Sequence, residues 1–480
     1  MKQKINFRQA KHPSTVKRSV SLPLYFLILF MSCNFGNTNI DPTRPTDANL
    51  KEILPAAIAQ TAHNLTSIGG RVTGIVVQHL EGIDAQPEGY SQYLIDERTL
   101  DEFWKTGLYV GALKDCHLLI EKANEEDKPH YRGIAKVLMA INLGIATSFW
   151  GEVPYEEAFD GVDHLQPKYD SQSSIYNNIQ SLLEEAMEDL QEPISNNPPS
   201  NDDLIFQGNT EKWTATARAL QARYYLHLSK KEPQTATKVL ATIQLGVFQA
   251  LENQPLFEFG SSINEANPLP LYSFERPDQL AMSDYLYQLL DSTNDPRLSR
   301  LAIVEDGVPI IYHKDSTHLF WGNFNAPIPL ISLTELYFIE AEVHLRLNNL
   351  NLAETVFKNA VIAHFEQLGM KVSTQEDFIQ NYIHFNNQNT FEEQLEWLIQ
   401  QKHIALFAQN SIESWIDYRR TGYPKITPPV NANSSFNPSL IIPRRYLYPI
   451  SERTSNQIQF NEAIQRQGGH LLDVNIWMFE

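Results

Sequence analysis

The chain has 480 residues, of which 38 are basic and 57 acidic, giving a formal net charge of −19. That balance excludes a nucleic-acid binder, whose partner's phosphates need Lys and Arg, and it disfavours direct electrostatic docking on anionic lipid. Only two cysteines are present, Cys33 and Cys116, so if the first is used elsewhere no disulfide framework is available.

In chain order, Lys2, Lys4, Arg8, Lys11, Lys17 and Arg18 are basic, and no acid precedes Asp41. Val20–Met31 is an apolar run of about 12 residues, against the roughly 20 that a membrane-spanning helix needs. A basic start, a short apolar run and then the small Ser32 predict a secretory signal over residues 1–32. Cleavage after Ser32 would make Cys33 the new N-terminus and the point of lipid attachment. Residues 33–48, with Asn, Asp, Thr and Pro concentrated in 37–48, read as a tether. Past the leader, 32 basic residues face 57 acidic ones. No clear linker and no second spanning run stands out, so residues 49–480 are expected to form one domain. Cys116 is expected to be a buried small hydrophobe.

Helical periodicity dominates the rest of the chain. Ile175, Ile179, Leu182, Leu183, Ala186 and Leu190 lie on one face of a helix, with Asp170, Ser171 and Ser173 as candidate caps. Similar stripes predict helices over 100–123, 129–150, 213–229, 283–290, 330–347, 352–368 and 391–407. Asp306-Gly307 between apolar runs predicts a hairpin within 302–313. Tyr337, Ala341, Ala353, Phe357 and Ala360 keep the spacing of a tetratricopeptide repeat, with Asn348, Asn349 and Asn351 in the turn. On spacing alone a generic helical hairpin is equally open. A single repeat cannot bury its faces, so the hairpins around 129–190 and 213–245 are candidates to stack on it. Residues 251–322 are rich in Pro, Asn, Asp and aromatics with little periodicity, the composition of an irregular binding face. The fold class expected is mainly α, a scaffold of helix pairs carrying a loop-rich ligand-facing segment.

Five strings, in order, resemble those of the SusD/RagB family in its SusD-like branch. They are Asn39-Ile40-Asp41-Pro42-Thr43-Arg44-Pro45-Thr46; Phe149-Trp150-Gly151-Glu152-Val153-Pro154-Tyr155; Ala217, Leu220, Ala222, Arg223, Tyr225 and Leu226; Trp415, Asp417, Arg419, Arg420, Gly422 and Pro424; and Pro443-Arg444-Arg445 with Tyr448-Pro449, Glu452 and Asn456. Phe30 and Met31 depart from the usual lipobox, and Thr43 stands where the family has Asn. The resemblance implies tetratricopeptide-like helix pairs, a lipid anchor on Cys33 and a place on the cell surface of an outer membrane. It implies a TonB-dependent, SusC-like barrel as partner and a nutrient, usually a glycan, as ligand.

Motifs for covalent or metal chemistry are not found: no Gly-x-Ser-x-Gly, His-Glu-x-x-His, phosphate loop or dinucleotide loop occurs. No enzyme activity, cofactor or metal is therefore expected. His79, His313 and His403 read as isolated, satisfied or exposed side chains, and paired acids such as Asp202-Asp203 and Glu392-Glu393 as solvated faces. Arg419-Arg420 and Arg444-Arg445 read as structural cations. Aromatics in loops remain as ligand candidates, because rings pack on the apolar faces of sugars. One cluster is Tyr90 and Tyr93 with Gln92. The other is Tyr312, Phe320, Trp321 and Phe324 with Asn323 and Asn325. Two rival readings stay open: a tetratricopeptide scaffold for a protein or peptide, and a lipid-anchored glycoside hydrolase.

Overall fold

The computed structural model describes residues 48–193, 196–315, 317–386 and 388–480. The expected signal, Cys33, and the tether up to residue 47 lie outside the described residues. Residues 49–480 form one compact unit, and its architecture is mainly helical, of the tetratricopeptide type, with a few short strands.

The principal helices are α1 (Leu50–Thr66), α2 (Ile68–Val76), α3 (Leu113–Glu125), α4 (Pro129–Trp150), α5 (Gln172–Gln191), α6 (Thr210–His227), α7 (Thr235–Gln244), α8 (Leu333–Arg346), α9 (Leu350–Gln367), α10 (Phe391–Leu406) and α11 (Ser411–Thr421). Successive helices from α3 to α7 pack as neighbours. α7 meets α8, α8 pairs with α9 and α10, and α10 leads through α11 to α2.

The sequence-expected boundaries agree within a few residues except at 100–123. There the helix begins as a π-type turn over Phe103–Ala112 and breaks at Gly111 (φ −89°, ψ −110°) before α3. α1 escapes a periodicity reading because Pro55 interrupts it. Its start is nevertheless legible: Asn49 and Glu52 form a capping box.

α4 corrects one expectation. It is long and apolar enough to cross a membrane by length and composition, yet Arg132 alone among its residues escapes full burial. A helix apolar all round sits where neighbours cover every face. Gly133 and Gly144 make this possible, since a Cβ there would collide with Leu190 and with the Tyr224 ring. Inside, Asn142 donates to Thr61 (2.8 Å) and Asn64 donates to Asn142 (3.1 Å), tying α1 to α4.

The α8–α9 pair carries the repeat-like residues. Ala341, Ala353, Phe357 and Ala360 are fully buried in one cluster with Tyr337 packed against it. Asn348 takes a left-handed turn (φ 59°), and Asn349 donates to the His344 carbonyl to close the helix. Asn351 already lies within α9.

A buried ion network crosses α6, α8, α10 and α11. Arg223 grips Glu335 with two bonds (2.6 and 2.7 Å), and His227 Nε2 meets Glu413 at 2.8 Å. Lys402 pairs with Asp417 (2.7 Å), and Arg420 bridges Asp417 and Glu342. Cys116 is buried and free.

The family-like strings are part of this scaffold. Trp150 Nε1 donates to the Leu447 carbonyl and Trp415 Nε1 to that of Pro443. Arg419 lies 3.4 Å over the Trp415 ring and donates to Ser148 O. Arg420 is an ion-network member, so this pair is structural on both counts.

The strands are short. β1 (Leu80–Gly82) pairs antiparallel with β3 (Leu280–Met282), and β2 (Leu256–Phe257) with β6 (Ile328–Pro329). β4 (Ile303–Glu305) and β5 (Val308–Ile310) form the expected hairpin, with Asp306 (φ 50°) and Gly307 (φ 84°) both left-handed. Two central residues at positive φ define the hairpin turn whose twist matches the strands.

Candidate functional site

The β1–β3 ribbon lies between two of the cavities on the loop-rich face. On one side, Phe274, Arg276, Asp278, Glu305, Tyr312, His313 and Lys314 line a cavity of about 310 Å³. Three rings gather beside it. Tyr312 and Phe324 are near-parallel (13°, centroids 6.2 Å apart), and Phe274 meets both edge-on at 6.2 and 5.4 Å. Phe274 is 43% exposed although large and apolar.

Two backbone bonds tie this cluster to neighbouring elements: Phe320 N donates to Arg300 O and Asn267 N to Phe324 O. Within the segment, the Asn323 side chain donates through Nδ2 to Leu319 O (2.6 Å). His313 approaches Glu305 at 3.5 Å. Burial, reinforced by Asp315, raises the Tyr312 phenol above its ordinary pKa. An apolar platform flanked by mixed charges can seat a ring face while the polar groups take hydroxyls.

Trp321 is only 4% exposed and lies edge-on to Phe320 at 4.8 Å, beneath this surface. Its indole Nε1 has no hydrogen-bond partner among the described residues.

The other expected cluster lies across the ribbon. Tyr93 lines a cavity of about 680 Å³ with Gln78, Tyr285, Gln288, Gln400 and Thr427. Tyr90 is buried, and Gln92 sits at the rim, its carbonyl accepting from Asn433 N. The structure thus brings Tyr312, Phe320, Trp321, Asn323 and Phe324 together but separates them from Tyr90, Gln92 and Tyr93.

Buried tyrosines and tryptophans of the helical scaffold have partners for their polar atoms, as at Trp150, Trp213, Trp415, Tyr446 and Tyr448. Among the described residues, Tyr90, Tyr93 and Trp321 are the buried tyrosines and tryptophans whose polar atom has none. All three belong to this face.

Between the cavities Arg71 stacks 3.8 Å over Tyr272, with Arg276 5.2 Å from the same ring. Burial, with Arg276 adding repulsion, brings the Arg71 guanidinium down to about 10 despite the opposing influence of Tyr272 and Tyr90.

Sequence reasoning missed Phe274, Arg276, Tyr285 and the 425–429 segment. Phe274 precedes Arg276-Pro277-Asp278, a turn signal that could have flagged it. His79 and His403 are not the isolated side chains expected from the sequence: they stack at 4.0 Å behind the larger cavity. His79 bonds Ser411 Oγ and the His403 carbonyl, and His403 bonds Ser414 Oγ.

The family profile described as SusD-like, "Starch-binding associating with outer membrane", matches residues 42–449. The chain belongs to the SusD-like family.

Solved structures agree on the fold. A SusD-like protein from Bacteroidetes AC2a has a TM-score of 0.76 at 20% identity, covering 90% of this chain and 100% of that one. A SusD/RagB family protein from Bacteroides thetaiotaomicron gives 0.72 at 23% identity, with 90% and 99% coverage. A chitin-binding SusD homologue from Flavobacterium johnsoniae gives 0.72 at 20% identity, with 90% and 98% coverage. No curated protein matches the chain. SusD-like proteins are binding proteins associated with the outer membrane. In this SusD-like chain the helices form the mount and the ribbon-divided surface is the candidate binding face.

Proposed function

We propose that this SusD-like protein is a cell-surface lipoprotein that captures a glycan and passes it to a TonB-dependent, SusC-like barrel. The lipid sits on Cys33, and binding involves no covalent step. The observation that carries the glycan reading is the platform of Tyr312 and Phe324 with the half-exposed Phe274 beside a polar cavity. Rings gathered into one accessible patch, rather than exposed singly, mark a surface that a ligand covers. Family membership and the ligands named for relatives, starch for the family and chitin for the Flavobacterium homologue, support a saccharide as that cover.

The test is calorimetry with starch- and chitin-derived oligosaccharides against the unaltered chain and Tyr312→Ala. Losing one stacking ring is expected to weaken binding about tenfold, which equals about 1.4 kcal/mol, with an unchanged melting temperature. Unchanged affinity, or no binding of any saccharide, rejects the platform. For the anchor, metabolic labelling with a fatty-acid analogue should mark the chain and fail to mark Cys33→Ala.

A further inference from the structure

Arg71 is held differently from the buried arginines of the scaffold. Arg223, Arg297 and Arg420 each grip a carboxylate. The Arg71 guanidinium makes no hydrogen bond or ion pair to the chain among the described residues, and its Nε is buried without a partner. Stacking holds it instead. It lies 3.8 Å over the Tyr272 ring, and the Tyr272 hydroxyl donates to Gln279 Oε1 (2.9 Å), which pins that ring. The side chain keeps part of its surface open. A guanidinium packed over an aromatic ring leaves its N–H fork free for a second partner.

The charge closest to Arg71 has its own sign. Arg276 lies 5.2 Å from the same ring and acts against the Arg71 charge, and at His63 burial and then Arg71 lower the imidazole pKa. Glu275 meets Arg276 at 3.3 Å, but both side chains are half exposed, and such surface pairs contribute little. Asp278 and Glu305 line the adjoining cavity, yet neither comes within ion-pair distance of these two arginines, and Glu305 faces His313 at 3.5 Å. Two cations side by side with so little counter-charge, in a chain of net charge −19, match an anion from outside.

The place is also suited to a ligand. Arg71 comes from α2, and Tyr272 and Arg276 from the helix Pro268–Glu275 and its C-terminal cap. The same short helix carries Phe274, and Arg276 lines the cavity together with Phe274 and Tyr312.

We propose that Arg71, with Arg276 beside it, is an oxyanion-recognition site that makes this face select ligands bearing a carboxylate over neutral ones. It rests on the reading of this face as the place of capture, and it narrows the ligand from a glycan of any charge to an acidic one. The guanidinium fork takes both carboxylate oxygens at once, and Arg276 adds a second positive charge from the cavity side. Tyr272 fixes the fork in advance, so little side-chain freedom is lost on binding.

The test is calorimetry of the full chain with trigalacturonate and with its fully methyl-esterified form, which keeps the sugar rings and removes the charge. The acid is expected to bind about tenfold more tightly than the ester, the ratio shrinking as sodium chloride is raised. Arg71→Gln should bring that ratio to about one, and Arg71→Lys, which keeps the charge but loses the fork, should leave an intermediate value. Arg276→Gln changes an exposed side chain and should lower the ratio about threefold, which keeps the test decisive should the Arg71 variants not fold. Equal binding of acid and ester, tighter binding of the ester, or a ratio indifferent to Arg71→Gln and Arg276→Gln overturns the proposal and leaves glycan capture standing. If neither trisaccharide binds, inorganic sulfate decides. At matched ionic strength it should raise the melting temperature of the unaltered chain more than that of Arg71→Gln. An equal rise in the two overturns the anion site, whereas a larger rise in the unaltered chain upholds it and counts against a saccharide as its carrier.

Discussion

The helical scaffold and the loop-rich face use the same polar residue types in opposite ways. In the scaffold, Arg223, Arg420, Lys402, Glu335, Glu342, Glu413 and Asp417 are buried and matched with one another. On the face, Tyr90, Tyr93 and Trp321 are buried with their polar atoms unmatched. The scaffold settles its charges in ion pairs inside the chain, although Arg419, Arg420 and Arg445 each keep an unpaired N–H, whereas the face leaves the polar atoms of its buried rings unpaired. Among buried tyrosines and tryptophans, partner status separates mount from candidate binding surface here.

The sharpest way to break this contrast is to unpair the scaffold. Arg420→Ala removes the cation shared by Glu342 and Asp417 and leaves them only Arg346 and Lys402, and such a loss is expected to cost about 3 kcal/mol. Chemical denaturation should show the midpoint falling accordingly. A loss of under 1 kcal/mol would mean that the network relaxes around the gap. Arg71→Ala is the control: it removes a stacked arginine with no ion pair among the described residues, and should cost far less.

Acid should unpair the same network without mutation. Burial alone would raise Glu413, but His227 and Arg223 more than offset it and hold it at about 2. Its contribution is present above the ordinary carboxylate range and is lost as pH falls through about 2. Glu342 is likewise held below its ordinary value by Arg420 and Arg346 against the effect of burial. His79, brought to about 3 by burial, must stay neutral in the fold, so its loss begins once pH drops below about 6.5. Burial raises Glu335 and offsets part of the decline. The unfolding free energy should therefore fall from pH 7 to pH 2 by on the order of 3 kcal/mol per strongly lowered group. A melting temperature flat over that range contradicts the assignment.

Smaller effects compare tyrosines directly. The Tyr448 hydroxyl donates to the Glu152 carbonyl, and Tyr448→Phe should cost about 1–3 kcal/mol by leaving that acceptor unpaired. Tyr90→Phe removes a hydroxyl that has no partner among the described residues, so its stability should hold or rise. Equal losses at both positions would erase the distinction between the regions.

Much of the scaffold is legible in the sequence because helix periodicity is a local signal. Ile175 to Leu190 announce α5, and the structure returns it with Ser171 as its cap. The resemblance strings are equally readable, since Trp150, Trp415 and Arg419 make bonds that depend on their identity. The face is legible only as composition. Aromatics at 90–93 and 312–324 stand out, but nothing local reveals that a three-residue ribbon separates them. Nor does it reveal that Trp321 turns inward while Phe274, in a short helix, turns outward. The His79–His403 stack joins residues more than 300 positions apart, which no spacing rule reaches.

The gentlest test acts on the mounting of the face alone. Gly307 is left-handed (φ 84°) with open space around it, so a methyl group there meets no neighbour and the cost is backbone strain only. Gly307→Ala should cost about 1 kcal/mol, and only in the β4–β5 hairpin. That hairpin leads directly into Tyr312, so hydrogen exchange at 303–310 should quicken and saccharide affinity fall a few-fold. The global melting temperature should hardly move, because the buried network lies in other elements. If affinity is unchanged while exchange quickens, Tyr312 is held by Phe324 and Phe274 rather than by the strand before it. If both melting and binding fall together, the face is not mounted independently of the helices, and the division between the two regions fails.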